Sequence, residues 1–168
     1  MGKISKPEFI NETHQLDDFD SHEGALDHWL KARALEHDAE GATRTCVVHD
    51  NMRVVAYYTL VTGSVVTSDA PGRMRRNISN PMPVMVLGRL AVDKAWQQRG
   101  IGRGLLKDAV LRTLRVSQET GIQALLVHVL SESAKYFYKR YGFMESPIAP
   151  MTLMLPMKDF KPLIAATI

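Results

Sequence analysis

The sequence predicts an α/β fold in one domain, residues 1–168, and three observations predict it. A length of 168 residues is that of one ordinary domain, and 45% hydrophobic with 23% charged residues is a globular composition. The segments 84–92 and 122–130 are nearly continuous apolar runs, as expected of strands buried on both faces. Between them the period changes: Ile101, Leu105 and Ala109 step by four, as do Leu106, Val110 and Leu114. That is a long amphipathic helix over 101–119, and strand–helix–strand implies a right-handed crossover.

The remaining elements follow in order along the chain. Ser21 is placed to cap a first helix, with Glu23 in its first turn and Leu26, Trp29 and Leu30 on one apolar face. Gly41 ends that helix. Residues 44–49 and 54–66 are β-branched runs that pair across an Asp50-Asn51 turn. The segment 71–83, with three prolines, Gly72 and two asparagines, reads as a loop. Gly121 stops the long helix before the strand 122–130. A shorter helix from Ser133 to Tyr141 ends at Gly142, and 151–157 forms a last strand.

Composition excludes several classes. One cysteine, Cys46, leaves no internal disulfide and argues against a cysteine-rich metal site. No run approaches the roughly 18 apolar residues of a membrane span. The start, MGKISKPEF, lacks a signal-peptide core, and Lys6 breaks the myristoylation pattern, so a cytoplasmic setting is expected. The formal charge of +3 is an average over unlike segments. Residues 1–40 carry 4 basic and 10 acidic side chains, whereas 71–116 carry 10 basic and 2 acidic. Such asymmetry suggests a polyanionic partner for the middle of the chain, or simply solvated faces on one loop and one helix.

The junction Gln97-Gln98-Arg99-Gly100-Ile101-Gly102-Arg103-Gly104 joins a buried strand to the long helix. Alternate glycines bring backbone amides together at a helix N-terminus, where free N–H groups and the helix dipole favour a phosphate or pyrophosphate. Arg99 and Arg103 add charge for the same anion. A Walker A loop needs Gly-Lys-Ser/Thr, which is absent, and the dinucleotide fingerprint fails at Leu105. The plain alternative is that the glycines serve only a tight turn.

The same junction, as Arg/Gln-x-x-Gly-x-Gly/Ala over Gln97–Gly102, resembles motif A of the GCN5-related N-acetyltransferases, the GNAT superfamily. Downstream, Ala134-Lys135-Tyr136-Phe137-Tyr138 and Gly142-Phe143 are similar to the A-x-x-F-Y-x-x-x-G-F of that family. Phe19-Asp20, Leu26-Asp27-His28-Trp29-Leu30, Arg44-Thr45, Tyr57-Tyr58 and Gly88–Asp93 extend the likeness to the GNAT toxins of type II toxin–antitoxin modules, over about residues 8–158. Ser21-His22 stands where many such toxins have Cys-Gly, and Cys46 where Tyr or Phe is usual.

The resemblance implies a GNAT fold: a mixed central sheet flanked by helices, with acetyl-CoA held between splayed parallel strands. It implies that Leu90, Ala91 and Val92 pair with the pantetheine arm and offer an oxyanion N–H, and that Gln97, Gln98, Arg99, Gly100, Ile101, Gly102, Arg103 and Gly104 hold the pyrophosphate. Ser131 stands where many GNAT enzymes carry an Asn that touches the cofactor arm. Tyr138 takes the role of general acid to the departing thiolate, a phenol near 10 being protonated at neutral pH. Such toxins acetylate the α-amine of aminoacyl-tRNA, block translation, form homodimers and pair with a ribbon-helix-helix antitoxin, through which alone they meet DNA.

Other residues are read from the sequence itself. Arg73, Arg75 and Arg76 in the 71–83 loop, with Arg89 as a weaker candidate, are placed to hold tRNA phosphates. No general base is evident: His128, in an apolar run, reads as a core histidine. His14 and His49 lack partners at metal-ligand spacing, so no metal is expected. Two other readings stay open, a small-molecule or protein amine N-acetyltransferase and a non-catalytic co-regulator binding DNA with its antitoxin.

Overall fold

Nearly continuous apolar strands call for cover on both faces of a sheet. The computed structural model describes residues 3–75 and 80–159. Seven strands, β1 (Glu8–Phe9), β2 (Arg44–Asp50), β3 (Arg53–Val65), β4 (Met82–Val92), β5 (Ala124–His128), β6 (Met144–Glu145) and β7 (Thr152–Pro156), form one sheet in the order β1-β2-β3-β4-β5-β7-β6. Three helices are α1 (Gly24–Ala39), α2 (Ile101–Ser117) and α3 (Glu132–Lys139). β4 and β5 are parallel and joined through α2, as the crossover requires, while β5 and β7 are antiparallel. The sheet is therefore mixed. No helix among the described residues is long and apolar enough to cross a membrane.

The chain divides into two compact units, one built from the residues up to Val61 with Gly88–Ala109, the other from Thr62–Leu87 with Val110 onward. In the first, Phe19, Leu30, Ala34, Val47, Val54 and Tyr57 are buried together. The Tyr57 ring meets Phe19 edge-on at 5.6 Å and stacks on Trp29 at 6.1 Å, and its hydroxyl donates to the carbonyl of Leu26 at 2.6 Å. Truncating a buried aromatic such as Phe19 to Ala costs about 3–5 kcal/mol. In the second, Ala70, Met74, Met82, Val84, Ala124, Leu126 and Met154 pack together.

Local chemistry sets the boundaries. The N-cap of α1 falls two residues after the expected one: it is Glu23, which makes no side-chain cap bond. Ser21 instead donates its Oγ–H to Asp27 at 2.6 Å and accepts from the N–H of Glu23 at 3.2 Å. Gly41, at φ +73°, ends the helix in a Schellman arrangement, with the Ala42 N–H on the His37 carbonyl and the Gly41 N–H on that of Asp38. The β2–β3 hairpin turns on Asn51 and Met52, both at positive φ, the backbone of a type I′ turn.

Several expectations shift. Met82 and Pro83 belong to β4 rather than to the loop, where Gly72–Met74 forms a 3-10 turn with Met74 buried. β4 is not buried throughout: Gly88 is exposed and Arg89, Leu90 and Val92 half-buried. α2 ends at Ser117, two residues early. β5 is confined to 124–128 and leaves His128 exposed, so this histidine is not a core residue. The two-residue strands β1 and β6 carry no sequence signal of their own.

Candidate active site

The 97–104 loop is built from the end of β4. Asp93, buried, accepts the N–H of Ala95 at 2.9 Å with one carboxylate oxygen and that of Asp20 at 3.0 Å with the other. It thereby caps the short turn Lys94–Trp96. Gln97 donates its side-chain amide to the carbonyls of Val92 at 2.9 Å and Ser21 at 3.1 Å, which fixes where the loop begins. Gln98 at φ +64° and Gly100 at φ +82° then put two left-handed residues two apart. Mixed right- and left-handed backbone of this kind turns successive N–H groups toward one concavity that suits an anion.

α2 opens immediately afterwards, and the first N–H groups of a helix have no partner within it. A Cβ at Gly104 would meet nothing within 4 Å, and one at Gly102 would touch Val92 and Leu90 only at 3.9 and 4.0 Å. These glycines are therefore not required by packing. They leave the first turn bare so that a ligand can reach the backbone. Arg103 brings a guanidinium nitrogen to 3.5 Å from the Cβ position of Gly100, and the Arg99 guanidinium lies 4.9 Å from the Trp96 ring centroid. Bare N–H groups at a helix start with two adjacent guanidiniums fit a pyrophosphate.

The parallel pairing runs from Met85↔Leu125 to Leu87↔Val127. β5 ends one residue later at His128, while β4 continues to Val92. Leu90, Ala91 and Val92 thus lie three to five residues past Leu87, the last residue of β4 in that register.

α3 presents the tyrosines. Ser131 is its N-cap, with the side chain accepting the Ala134 N–H at 3.1 Å, and Gly142 at φ +94° terminates the turn after it. Tyr138 is buried, with Phe137 at 5.1 Å and Phe143 at 5.3 Å between ring centroids. Burial raises its phenol above the ordinary value, so it stays protonated and can act as a proton donor at neutral pH. Tyr136 lies on the opposite, exposed side of the helix.

The arginines expected at tRNA are largely engaged within the protein. Arg73 pairs with Asp159 at 2.7 Å, and Arg75 donates to the carbonyls of Ala70 at 3.0 Å and Ser68 at 3.4 Å. Arg89 stacks its guanidinium 3.9 Å above the Trp29 ring and is half-buried, and desolvation lowers its value. Arg76 lies outside the described residues.

One cluster was not legible in the sequence. Glu8, His14 and His49 converge, with both imidazole Nε2 atoms 2.8 Å from the same carboxylate oxygen of Glu8. The Nδ1 of His14 accepts the Asn11 N–H and that of His49 accepts the Met52 N–H, each at 3.0 Å. A ring whose Nδ1 accepts carries its proton on Nε2. Both histidines therefore present N–H groups to Glu8 rather than lone pairs to a metal, and the cluster is a clasp on β1 and the β2–β3 turn.

The comparisons with known proteins agree with this geometry. Residues 41–145 match the acetyltransferase (GNAT) domain. A tRNA-acetylating toxin of Mycobacterium tuberculosis is 43% identical over 98% of this chain and 99% of its own. Among solved structures, AtaT complexed with acetyl-methionyl-tRNAfMet has a TM-score of 0.90 at 26% identity, covering 96% of this chain and 99% of that one. A tyrosine-to-phenylalanine variant of AtaT, bound to the C-terminus of the antitoxin AtaR and to acetyl-CoA, has a TM-score of 0.82 at 27% identity, covering 96% and 98%. With its mixed sheet, motif A loop and tyrosine-bearing α3, the chain belongs to the GNAT acetyltransferase family.

Proposed function

We propose that this chain is a cytoplasmic toxin, one GNAT domain over residues 1–168, that moves the acetyl group of acetyl-CoA to the α-amine of aminoacyl-tRNA and so blocks translation. The observation that carries this reading is the 43% identity to a tRNA-acetylating toxin across 98% of the chain. Acetyl-CoA supplies the activated thioester. The residues from Gln98 to Gly104 hold its pyrophosphate through backbone N–H groups and the Arg99 and Arg103 guanidiniums, while Gln97 positions the loop by its bonds to Val92 and Ser21. Leu90–Val92 bind the pantetheine arm and offer an N–H to the developing oxyanion. Tyr138 holds a proton in an apolar surround and passes it to the leaving sulfur; a positioned acid of this kind contributes about 10²–10⁴-fold.

The partners follow the same reading: a homodimer, neutralised by a ribbon-helix-helix antitoxin, with DNA met only through that partner. Arg73, Arg75, Arg76 and Arg89 steer tRNA phosphates. Because Arg73 and Arg75 already bond within the protein, a second reading, acetylation of a small-molecule or protein amine, has a specific observation in its favour. Transfer of labelled acetyl groups to charged tRNA, with the same tRNA deacylated as control, separates the two. Label on the charged form only supports the toxin reading, and no label on either removes it.

A further inference from the structure

The geometry points to the cavity against the paired parts of β4, β5 and β7 as the chamber for the acceptor amine, with His128 as the base that deprotonates it. This rests on the aminoacyl-tRNA reading above and adds the acid–base partner that reading lacks. The cavity holds about 340 Å³ and lies wholly within the second unit. Ligand sites begin near about 300 Å³, so this one suits the aminoacyl end of a larger molecule rather than a nucleotide.

The register explains what faces it. Leu126 pairs with Val86 on one side and Met154 on the other, and His128 pairs with Thr152. Val86, Leu126, His128, Thr152 and Met154 therefore share one sheet face, and all line the cavity. The alternate residues of β5, Leu125 and Val127, are buried on the other face. Val66 and Ile148, also in the lining, are 51% and 66% exposed, an apolar mouth open to an incoming ligand.

His128 is the last residue of β5, one past the final parallel pair Leu87↔Val127. Its Nδ1 lies 2.8 Å from the Thr152 hydroxyl oxygen. That oxygen can accept an Nδ1–H whether or not Nε2 carries a proton, so the ring can gain and lose a proton at Nε2 without losing its anchor. The contrast within the same molecule is informative. The Nδ1 atoms of His14 and His49 face backbone N–H donors, which hold their protons on Nε2. Among the described residues Asp69 is the one other ionisable side chain lining the chamber, and its own backbone carbonyl accepts the Ser146 hydroxyl at 2.6 Å.

The step balances as follows. His128 Nε2 takes one proton from the acceptor ammonium, and the freed lone pair forms the C–N bond to the acetyl carbon. The C–S bond breaks, its electron pair goes to sulfur, and Tyr138 gives sulfur a proton. The amide nitrogen sheds its second proton, which restores the Tyr138 phenol by way of solvent, and His128 releases the first. The sum is one acetamide, one thiol and one proton.

The test is the initial rate of acetyl transfer from acetyl-CoA to a charged tRNA pool for the wild type, His128→Asn and His128→Gln. The Asn amide keeps a donor toward Thr152 and the Gln variant keeps bulk, while neither is a base. Both are expected to lose about 10²-fold at pH ~6.5 and less than about 10-fold at pH ~8.5, where α-amines titrating near 7.7–8.0 are already neutral. Acetyl-CoA affinity by calorimetry should stay within about twofold. Rates within twofold of wild type at pH ~6.5, or the same loss at both pH values, would overturn the role of His128 while leaving the toxin reading standing. If the wild type itself transfers nothing to charged tRNA, that reading fails and this assignment with it.

Discussion

The Tyr58 hydroxyl donates to the carboxylate of Asp108, joining β3 to the second turn of α2 across 50 residues of sequence. Tyr58 is wholly buried, and burial together with this carboxylate holds its phenol far above the ordinary value, so the phenol is always the donor. Since α2 begins within the 97–104 segment, this bond fixes the helix that carries the proposed pyrophosphate site. Bonds to charged groups contribute about 1.5–3 kcal/mol, so Tyr58→Phe should lower unfolding free energy by that amount in urea titrations. Asp108→Asn, which retains an acceptor oxygen, should lose less.

Gly100 and Gly104 should separate backbone strain from ligand access. Gly100 sits at φ +82°, where a side chain costs about 1–2 kcal/mol, so Gly100→Ala should destabilise the fold and weaken acetyl-CoA binding together. Gly104→Ala meets no neighbour and adds helix propensity of up to about 1 kcal/mol. It should keep or raise stability while raising the dissociation constant for acetyl-CoA, measured by calorimetry, because its methyl group covers the first-turn N–H groups.

Ser131 caps α3 through the Ala134 N–H. Ser131→Ala is expected to cost about 1 kcal/mol in thermal unfolding. The KM for acetyl-CoA should stay unchanged, and a tenfold rise in KM would return Ser131 to the cofactor arm.

The Glu8 clasp should be acid-sensitive. Its carboxylate is held below the ordinary value chiefly by the hydrogen bond from His14; burial opposes this, and the hydrogen bond from His49 then lowers it further. A carboxyl lowered in the folded state gives stability that is present above its unfolded value near 4.3 and is lost as pH falls through the lowered one. The difference in melting temperature between wild type and Glu8→Ala should therefore be present at pH ~5 and shrink below pH ~4. A difference that grows on acidification would reverse the sign and contradict the clasp.

What the sequence revealed and what it hid divide along physical lines. Strands β2, β3, β5 and β7 and helix α2 were legible because long apolar runs and a step of four are local signals, and Gly41 and Gly142 stop helices wherever they fall. The junction between β4 and α2 was legible because its glycines and arginines are contiguous. His128 was misread because its neighbours along the chain are apolar, whereas its environment is set by its place at the end of β5 and by Thr152, 24 residues away. Glu8, His14 and His49 meet only once β1 pairs with β2, and a two-residue strand leaves no periodicity to read. Arg73 looked free because Asp159, its partner, lies 86 residues downstream.

The central claim is acetyl transfer to aminoacyl-tRNA with Tyr138 as the acid, and mass spectrometry of total charged tRNA after incubation with enzyme and acetyl-CoA tests it most directly. The wild type should add one acetyl group to the α-amine of the aminoacyl end, and Tyr138→Phe should reduce the product about 10²–10⁴-fold under the same conditions. Charged tRNA left unmodified by the wild type, or modified equally by both proteins, would contradict the account.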